Sequence, residues 1–163
     1  MIRYPRGRGS LIDWHNEPQA LPIGKGQLLR KGEKVLMLTL GPLGNNVTHV
    51  LDKLEQEGMK PAHFDVRFLK PLDESALNVF AEQYPVWITV EDGTEKGGLF
   101  SEISEFLDRR DDLCNLSTTR PHLMHIALPD QFITHGDIPN LYKEVGFDEN
   151  SMENVIKKAW GRA

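Results

Sequence analysis

The 163-residue sequence contains a single cysteine, Cys114, which excludes an internal disulfide and favours a reducing compartment. It has no apolar run close to the roughly 20 residues that a membrane-spanning helix requires. Its first residues, Met-Ile-Arg-Tyr-Pro-Arg, lack the apolar stretch of a signal peptide. These absences predict a cytoplasmic protein without a membrane partner.

The sequence also lacks a basic stripe of the kind that binds nucleic acid. Its formal net charge is −5, and acidic and basic residues are mixed along the chain. Arg3, Arg6 and Arg8 form one basic cluster. We predict no nucleic-acid partner, because this cluster is too short for a nucleic-acid surface, although it is large enough to hold one phosphate group.

Motifs for metal binding and nucleophilic catalysis are missing as well. There is no His-Glu-x-x-His or Cys-His cluster and no Gly-x-Ser-x-Gly turn. His122 and His125 are three residues apart on a predicted strand, so they should point to opposite faces and share no metal. Cys114 follows Asp111 and Asp112, whose charges disfavour a thiolate nucleophile. The sequence therefore predicts no metal site and no catalytic residue.

Glycine and proline punctuate the first 33 residues, which show no sustained period of 2 or 3.6. A loop of this length is uncommon inside a compact domain. We predict that residues 1–33 are an interdomain linker and extended segment that lies on a neighbouring domain. Residues 34–163 then form the folded α/β domain.

Regular patterns begin at residue 34. Short apolar runs predict strands over residues 35–40, 64–68, 86–90 and 122–128. Apolar spacing predicts helices over residues 47–57, 74–84, 97–108, 138–145 and 150–160, with a polar loop over residues 109–119. Asp73 is a predicted N-cap, Gly58 a predicted helix end, and Asn150 with Glu153 a predicted capping pair. Strands that alternate with helices indicate a mostly parallel sheet covered on both faces.

The glycine-containing segment 93–98 lies between a predicted strand and a predicted helix. Phosphates often bind at such junctions, but the segment matches neither the P-loop nor the dinucleotide fingerprint. We therefore favour a role in packing at the helix start over a phosphate contact.

The N-terminal segment 3–7, Arg-Tyr-Pro-Arg-Gly, is stiffened by Pro5, which fixes its own φ and restricts Tyr4 to extended geometry. Arg3 and Arg6 are thus held on a stiff support. A guanidinium held in this way suits a phosphate or a carboxylate. A solvated basic terminus is the alternative.

Four segments together resemble the C-terminal part of the 1-deoxy-D-xylulose-5-phosphate synthases. They are residues 3–7, 22–26, 65–73 and 128–133, which occur in the family's order within a resemblance that runs from residue 2 to 160. The resemblance implies a three-layer α/β/α domain with a mostly parallel sheet of about five strands, like the C-terminal domain of transketolase.

The resemblance also implies a function for a longer polypeptide. This family condenses pyruvate with D-glyceraldehyde 3-phosphate, releases carbon dioxide and acts as a homodimer. Its thiamine diphosphate and Mg²⁺ lie in the preceding domains, so we expect this chain alone to bind neither of them and to be inactive.

For individual residues, the resemblance implies that Arg6 binds the phosphate of the aldehyde substrate. Arg67, Lys70 and Asp73 are interpreted as local ion-pairing and capping residues, with a role at a domain interface as the alternative. His135 is interpreted as a polar residue at a domain contact.

Two other functions remain open from the sequence. In the β subunit of a 2-oxo-acid dehydrogenase, we would expect an Asp-Leu-Arg-Thr-type run where this chain has Arg-Phe-Leu-Lys at residues 67–70. A non-catalytic interaction module is the other alternative. The chain departs from the synthase pattern at residues 93–100 and 109–119, which are more charged or more polar than the family leads us to expect.

Overall fold

A computed structural model of the protein describes residue 17, residues 19–114 and residues 120–163. The strands in this part of the chain are β1 (Gln27–Arg30), β2 (Val35–Leu40), β3 (Ala62–Asp65), β4 (Val86–Thr94) and β5 (His122–Leu128). The helices are α1 (Leu43–Gln56), α2 (Glu74–Gln83), α3 (Leu99–Cys114), α4 (Ile138–Val145) and α5 (Glu149–Trp160). No helix among the described residues is both long and apolar enough to cross a bilayer.

The strands form one sheet in the order β1-β3-β2-β4-β5. Strands β2 to β5 are parallel, and β1 joins the edge antiparallel to β3. Helices α1 and α5 pack on one face of the sheet, and α2 and α3 pack on the other. The predicted three-layer α/β/α fold with a mostly parallel sheet is therefore confirmed.

Strand β2 runs through the centre of the domain and contributes side chains to both halves of the core. Val35 and Met37 pack against α1 and α5, whereas Leu36 and Leu38 pack against α2 and α3. All four are fully buried, as expected for a central strand covered on both faces. The apolar run that predicted this strand reflects burial on both sides.

Several local predictions are confirmed in the structure. The buried face of α1 includes Val47 and Leu54, and Gly58 follows this helix with a φ of +84°, in the left-handed region that glycine tolerates. Asp73 caps α2 and accepts a hydrogen bond from the Ala76 amide at 3.3 Å.

Other predicted boundaries of strands and helices were wrong. Strand β3 ends at Asp65, because Arg67 adopts a left-handed φ of +59° and turns the chain out of the sheet. Residues 109–114, predicted as a polar loop, continue α3. Asp148 caps α5 instead of Asn150, and its carboxylate accepts hydrogen bonds from the amides of Asn150 and Ser151.

Strand β1 departs from the prediction that residues 1–33 are a linker. Residues 27–30 form a hydrogen-bonded edge strand of the sheet. The linker interpretation remains a prediction for the residues that precede them.

Candidate functional site

The chain enters the domain at the carboxyl edge of the parallel strands. Because β1 runs antiparallel to β3, its first residue, Gln27, pairs with Asp65, the last residue of β3. Residues 19–26 therefore approach the sheet from the edge at which parallel α/β sheets bind their ligands. This carboxyl edge is the candidate functional site.

Asp73 binds residues 25 and 26, which lead into β1. Its nearly buried carboxylate lies 3.0 Å from Lys25 Nζ and accepts the Gly26 amide at 3.2 Å. The same carboxylate caps α2 through the Ala76 amide. One side chain thus joins the segment before β1 to the segment after β3.

The glycines of residues 19–26, the entering segment, permit close packing against the rest of the domain. Gly24 has a φ of +71°, and a Cβ built on it would lie 2.8 Å from Pro71 Cγ. A Cβ on Gly26 would lie 2.2 Å from the ring of Phe64. Both positions therefore exclude larger residues, which explains the Gly-Lys-Gly sequence.

Arg67 and Lys70 make local ion pairs, which supports that interpretation of both residues. Arg67 Nε lies 3.7 Å from Asp65 Oδ2, and its guanidinium also donates to the Gln27 side chain in β1. Lys70 Nζ lies 4.0 Å from Glu102 and is 81% exposed. Arg67 holds β1 onto β3, whereas the pair made by Lys70 contributes little.

An open pocket of about 700 Å³ lies beside this ion-pair cluster. The charged residues that line it are Lys25, Lys70, Asp73, Glu74 and Glu102. Among the described residues that line the pocket, three carboxylates outnumber the two lysines and two of them pair with the lysines, so these residues alone do not favour an anion.

The α3 N-terminus is occupied by a side chain of the protein itself. Glu91 is 5% exposed, and its carboxylate accepts the amides of Leu99 at 2.9 Å and Phe100 at 3.1 Å. A Cβ on Gly98 would lie 2.1 Å from Glu91 Oε2, so glycine is required there. Segment 93–98 thus serves helix-start packing, and Glu91 takes the place that a phosphate would occupy.

The charged residues of this segment attach it to β5. The Glu95 amide donates to Leu128 O at 2.9 Å, and Glu95 Oε2 lies 3.3 Å from His125 Nε2. Lys96 Nζ lies 2.6 Å from Asp130 Oδ2. The departure from the family pattern at these positions therefore has a structural role in loop packing.

A buried polar pair that carries no local signal in the sequence lies between β2 and β3. Thr39 Oγ1 and His63 Nε2 share a hydrogen bond of 2.9 Å, and both residues are 1% exposed. Burial, and to a lesser extent the charge of Arg30, lowers the pKa of His63 from 6.5 to about 4. His63 is therefore a neutral core residue at physiological pH.

The histidines of β5 point to opposite faces of the sheet, as predicted. His122 Nε2 lies 2.7 Å from an Arg162 nitrogen, whereas the ring of His125 packs 4.5 Å from the ring of Phe100. In the part of the chain that the structure describes, no group of three His, Cys, Asp or Glu side chains could hold a metal ion.

The predicted phosphate-binding residue, Arg6, lies outside the described residues, as do Arg3 and Tyr4. The side chain of Cys114 is not described either. The role of Arg6 therefore stays a prediction. His135 is exposed in the loop after β5, and its role also stays a prediction.

The family model described as "Transketolase, C-terminal domain" matches residues 24–152. The chain is 43% identical over 158 residues to a protein named 1-deoxy-D-xylulose-5-phosphate synthase from Parabacteroides distasonis. It is 45% identical over 157 residues to a protein of the same name from Phocaeicola vulgatus. These alignments cover 97% and 96% of this chain but only 24% of each relative. The chain thus spans about a quarter of the length of these relatives.

Solved structures show the same fold at lower identity. A split-gene transketolase, described as an inactive β4 tetramer, superposes with a TM-score of 0.75 at 23% identity, over 86% of this chain and 44% of that chain. Transketolase from Campylobacter jejuni superposes with a TM-score of 0.56 at 18% identity, over 88% of this chain and 20% of that chain. Because the family model covers most of the sequence and the fold agrees with it, the chain belongs to the family of transketolase C-terminal domains.

Proposed function

We propose that this chain is the C-terminal domain of a thiamine-diphosphate-dependent 1-deoxy-D-xylulose-5-phosphate synthase. Such an enzyme joins pyruvate to D-glyceraldehyde 3-phosphate and releases carbon dioxide. The observation that carries the proposal is the 43–45% identity to proteins of that name across almost the whole chain. The Arg-Phe-Leu-Lys run at residues 67–70 also favours a synthase over the β subunit of a 2-oxo-acid dehydrogenase.

Within this enzyme, Arg6 binds the phosphate of the aldehyde. Pro5 stiffens the backbone next to it, and a rigidly held guanidinium is a strong bidentate partner for a phosphate dianion. The direction of β1 supports this role, because residues 19–26, which lead into β1, adjoin the carboxyl edge of the sheet. Arg6 is a binding residue and takes no part in bond making or breaking.

The described residues do not fit the cofactor or its metal ion. They contain no group of three side chains that could hold Mg²⁺, and Glu91 already occupies the α3 N-terminus. We therefore assign thiamine diphosphate and Mg²⁺ to the preceding domains of the same polypeptide. We further propose that the enzyme is a homodimer. We place it in the cytoplasm, because a single cysteine is typical of a protein in a reducing compartment.

An activity assay tests this proposal. The full-length polypeptide and the 163-residue chain are each incubated with pyruvate, D-glyceraldehyde 3-phosphate, thiamine diphosphate and Mg²⁺, and 1-deoxy-D-xylulose 5-phosphate is measured. We expect product from the full-length polypeptide and none from the chain alone. A full-length protein that oxidises pyruvate without forming this product would support the dehydrogenase instead, and one without any turnover would support the interaction module.

A further inference from the structure

Large apolar side chains are exposed in two segments that adjoin the carboxyl edge of the sheet. Leu21 and Ile23, which precede β1, are 53% and 77% exposed, and Phe132 and Ile138, which follow β5, are 105% and 57% exposed. Leaving such side chains in water is unfavourable when a partner could bury them. Exposed apolar side chains in two segments along one edge indicate a surface that a partner covers.

The two segments lie at opposite ends of this edge. The first enters at Gln27, which pairs with the end of β3, and the second leaves from Leu128, the last residue of β5. Five strands spaced about 4.8 Å apart separate β1 from β5 by about 19 Å. One partner face of ordinary size, about 800 Å², covers such a span.

Both segments are held in place by polar contacts. Asp73 binds Lys25 and the Gly26 amide in the first segment. In the second, Lys96 pairs with Asp130, and the Gln131 amide donates to Pro129 O at 2.7 Å. These contacts immediately precede Phe132 and restrict the backbone there, which reduces the entropy lost when Phe132 is buried.

We propose that Leu21, Ile23, Phe132 and Ile138 form a docking surface for the preceding domains of the same polypeptide, with Phe132 as its main anchor. The proposal rests on the proposed function, because about three quarters of the length of the relatives lies outside this chain. The entering segment connects directly to this edge, so a preceding domain is tethered beside the surface. Tethering gives it a high effective concentration there over any free partner.

Hydrogen–deuterium exchange tests the surface by comparing the full-length polypeptide with the 163-residue chain. We expect the amides of residues 19–26 and 130–135 to exchange at least about tenfold more slowly in the full-length protein, because docking buries them. Phe132→Ser in the full-length protein should return residues 130–135 to fast exchange. Val79→Ser is the matched control, since Val79 is 52% exposed but lies on α2.

Equal exchange of these segments in both proteins would overturn the proposal. Slow exchange that disappears on dilution would also overturn it, because the partner would then be a second copy. Synthase activity is measured on the same samples, so the two proposals fail separately. An active enzyme without protected segments rejects the docking surface alone, whereas a protected but inactive protein rejects the synthase function alone.

Discussion

The carboxylate of Asp73 lies 3.0 Å from Lys25 Nζ, across 48 positions of sequence. This contact joins the Pro-Ile-Gly-Lys-Gly segment to the Arg-Phe-Leu-Lys-Pro-Leu-Asp segment, two of the motifs that carry the family resemblance. The resemblance in these segments therefore reflects one packed structural unit, which fixes where the chain enters the domain.

Replacing Asp73 should destabilise the domain mainly through its backbone contacts. Asp73→Ala leaves the Gly26 and Ala76 amides without their acceptor, and we expect it to lower the free energy of unfolding by about 1–2 kcal/mol in urea titrations. Lys25→Met should cost less than about 1 kcal/mol, because Lys25 is 54% exposed and solvent screens its charge. Equal losses of unfolding free energy in the two variants would contradict the view that the backbone contacts of Asp73 matter more than its ion pair.

Gly98 should tolerate no side chain. A Cβ at this position would collide with Glu91 Oε2, so Gly98→Ala must displace the carboxylate that caps α3. We expect a loss of about 1–3 kcal/mol in the free energy of unfolding. Gly161→Ala is the matched control, because its Cβ would lie 3.7 Å from the nearest atom and cause little change. Similar values for both variants would show that the Glu91 contact is unimportant.

His63 should make the stability of the domain depend on pH. Its pKa is about 4 in the folded protein and 6.5 in the unfolded chain, so the unfolded chain binds more protons between these values. The stability that depends on neutral His63 is fully present above pH 6.5 and is lost as the pH falls toward 4. We expect a loss of about 2 kcal/mol between about pH 7.5 and 5, measured by urea titration.

His63→Gln provides the control for this pH dependence, because glutamine does not titrate in this range. The variant should lack the His63 component, so its stability should fall less than that of the wild-type protein over the same interval. Parallel pH curves for the two proteins would contradict the assignment to His63.

Arg6 should affect one substrate more than the other. In the full-length enzyme, we expect Arg6→Ala to raise KM for D-glyceraldehyde 3-phosphate by roughly tenfold or more, since a charged hydrogen bond to the phosphate is lost. KM for pyruvate should change less. Arg8→Ala is the matched control for a general loss of positive charge. An unchanged KM for the aldehyde would remove Arg6 from the binding site.

The central part of the fold could be predicted from the sequence because it depends on local patterns. The apolar run of β2, the periodic face of α1 and the capping residue Asp73 each carry their signal within a few residues. Strand β1 carries no such signal: Gln-Leu-Leu-Arg is short and does not alternate, and its conformation depends on pairing with β3.

The chemistry of the carboxyl edge was harder to predict because its contacts join distant positions. Thr39 and His63 are 24 residues apart, and neither residue indicates the other in the sequence. The contact made by Glu91 is only weakly indicated by the sequence, which has a carboxylate shortly before the glycine pair Gly97-Gly98. Glu91 lies within the shift in β4–β5 register between Val90 and Thr94, which only the structure shows.

The central claim is that the reactive centre lies in the preceding domains, and calorimetric titration with thiamine diphosphate and Mg²⁺ tests it most directly. We predict saturable binding to the full-length polypeptide and no measurable heat of binding for the 163-residue chain under the same conditions. Tight, saturable binding of thiamine diphosphate to the 163-residue chain would contradict the account.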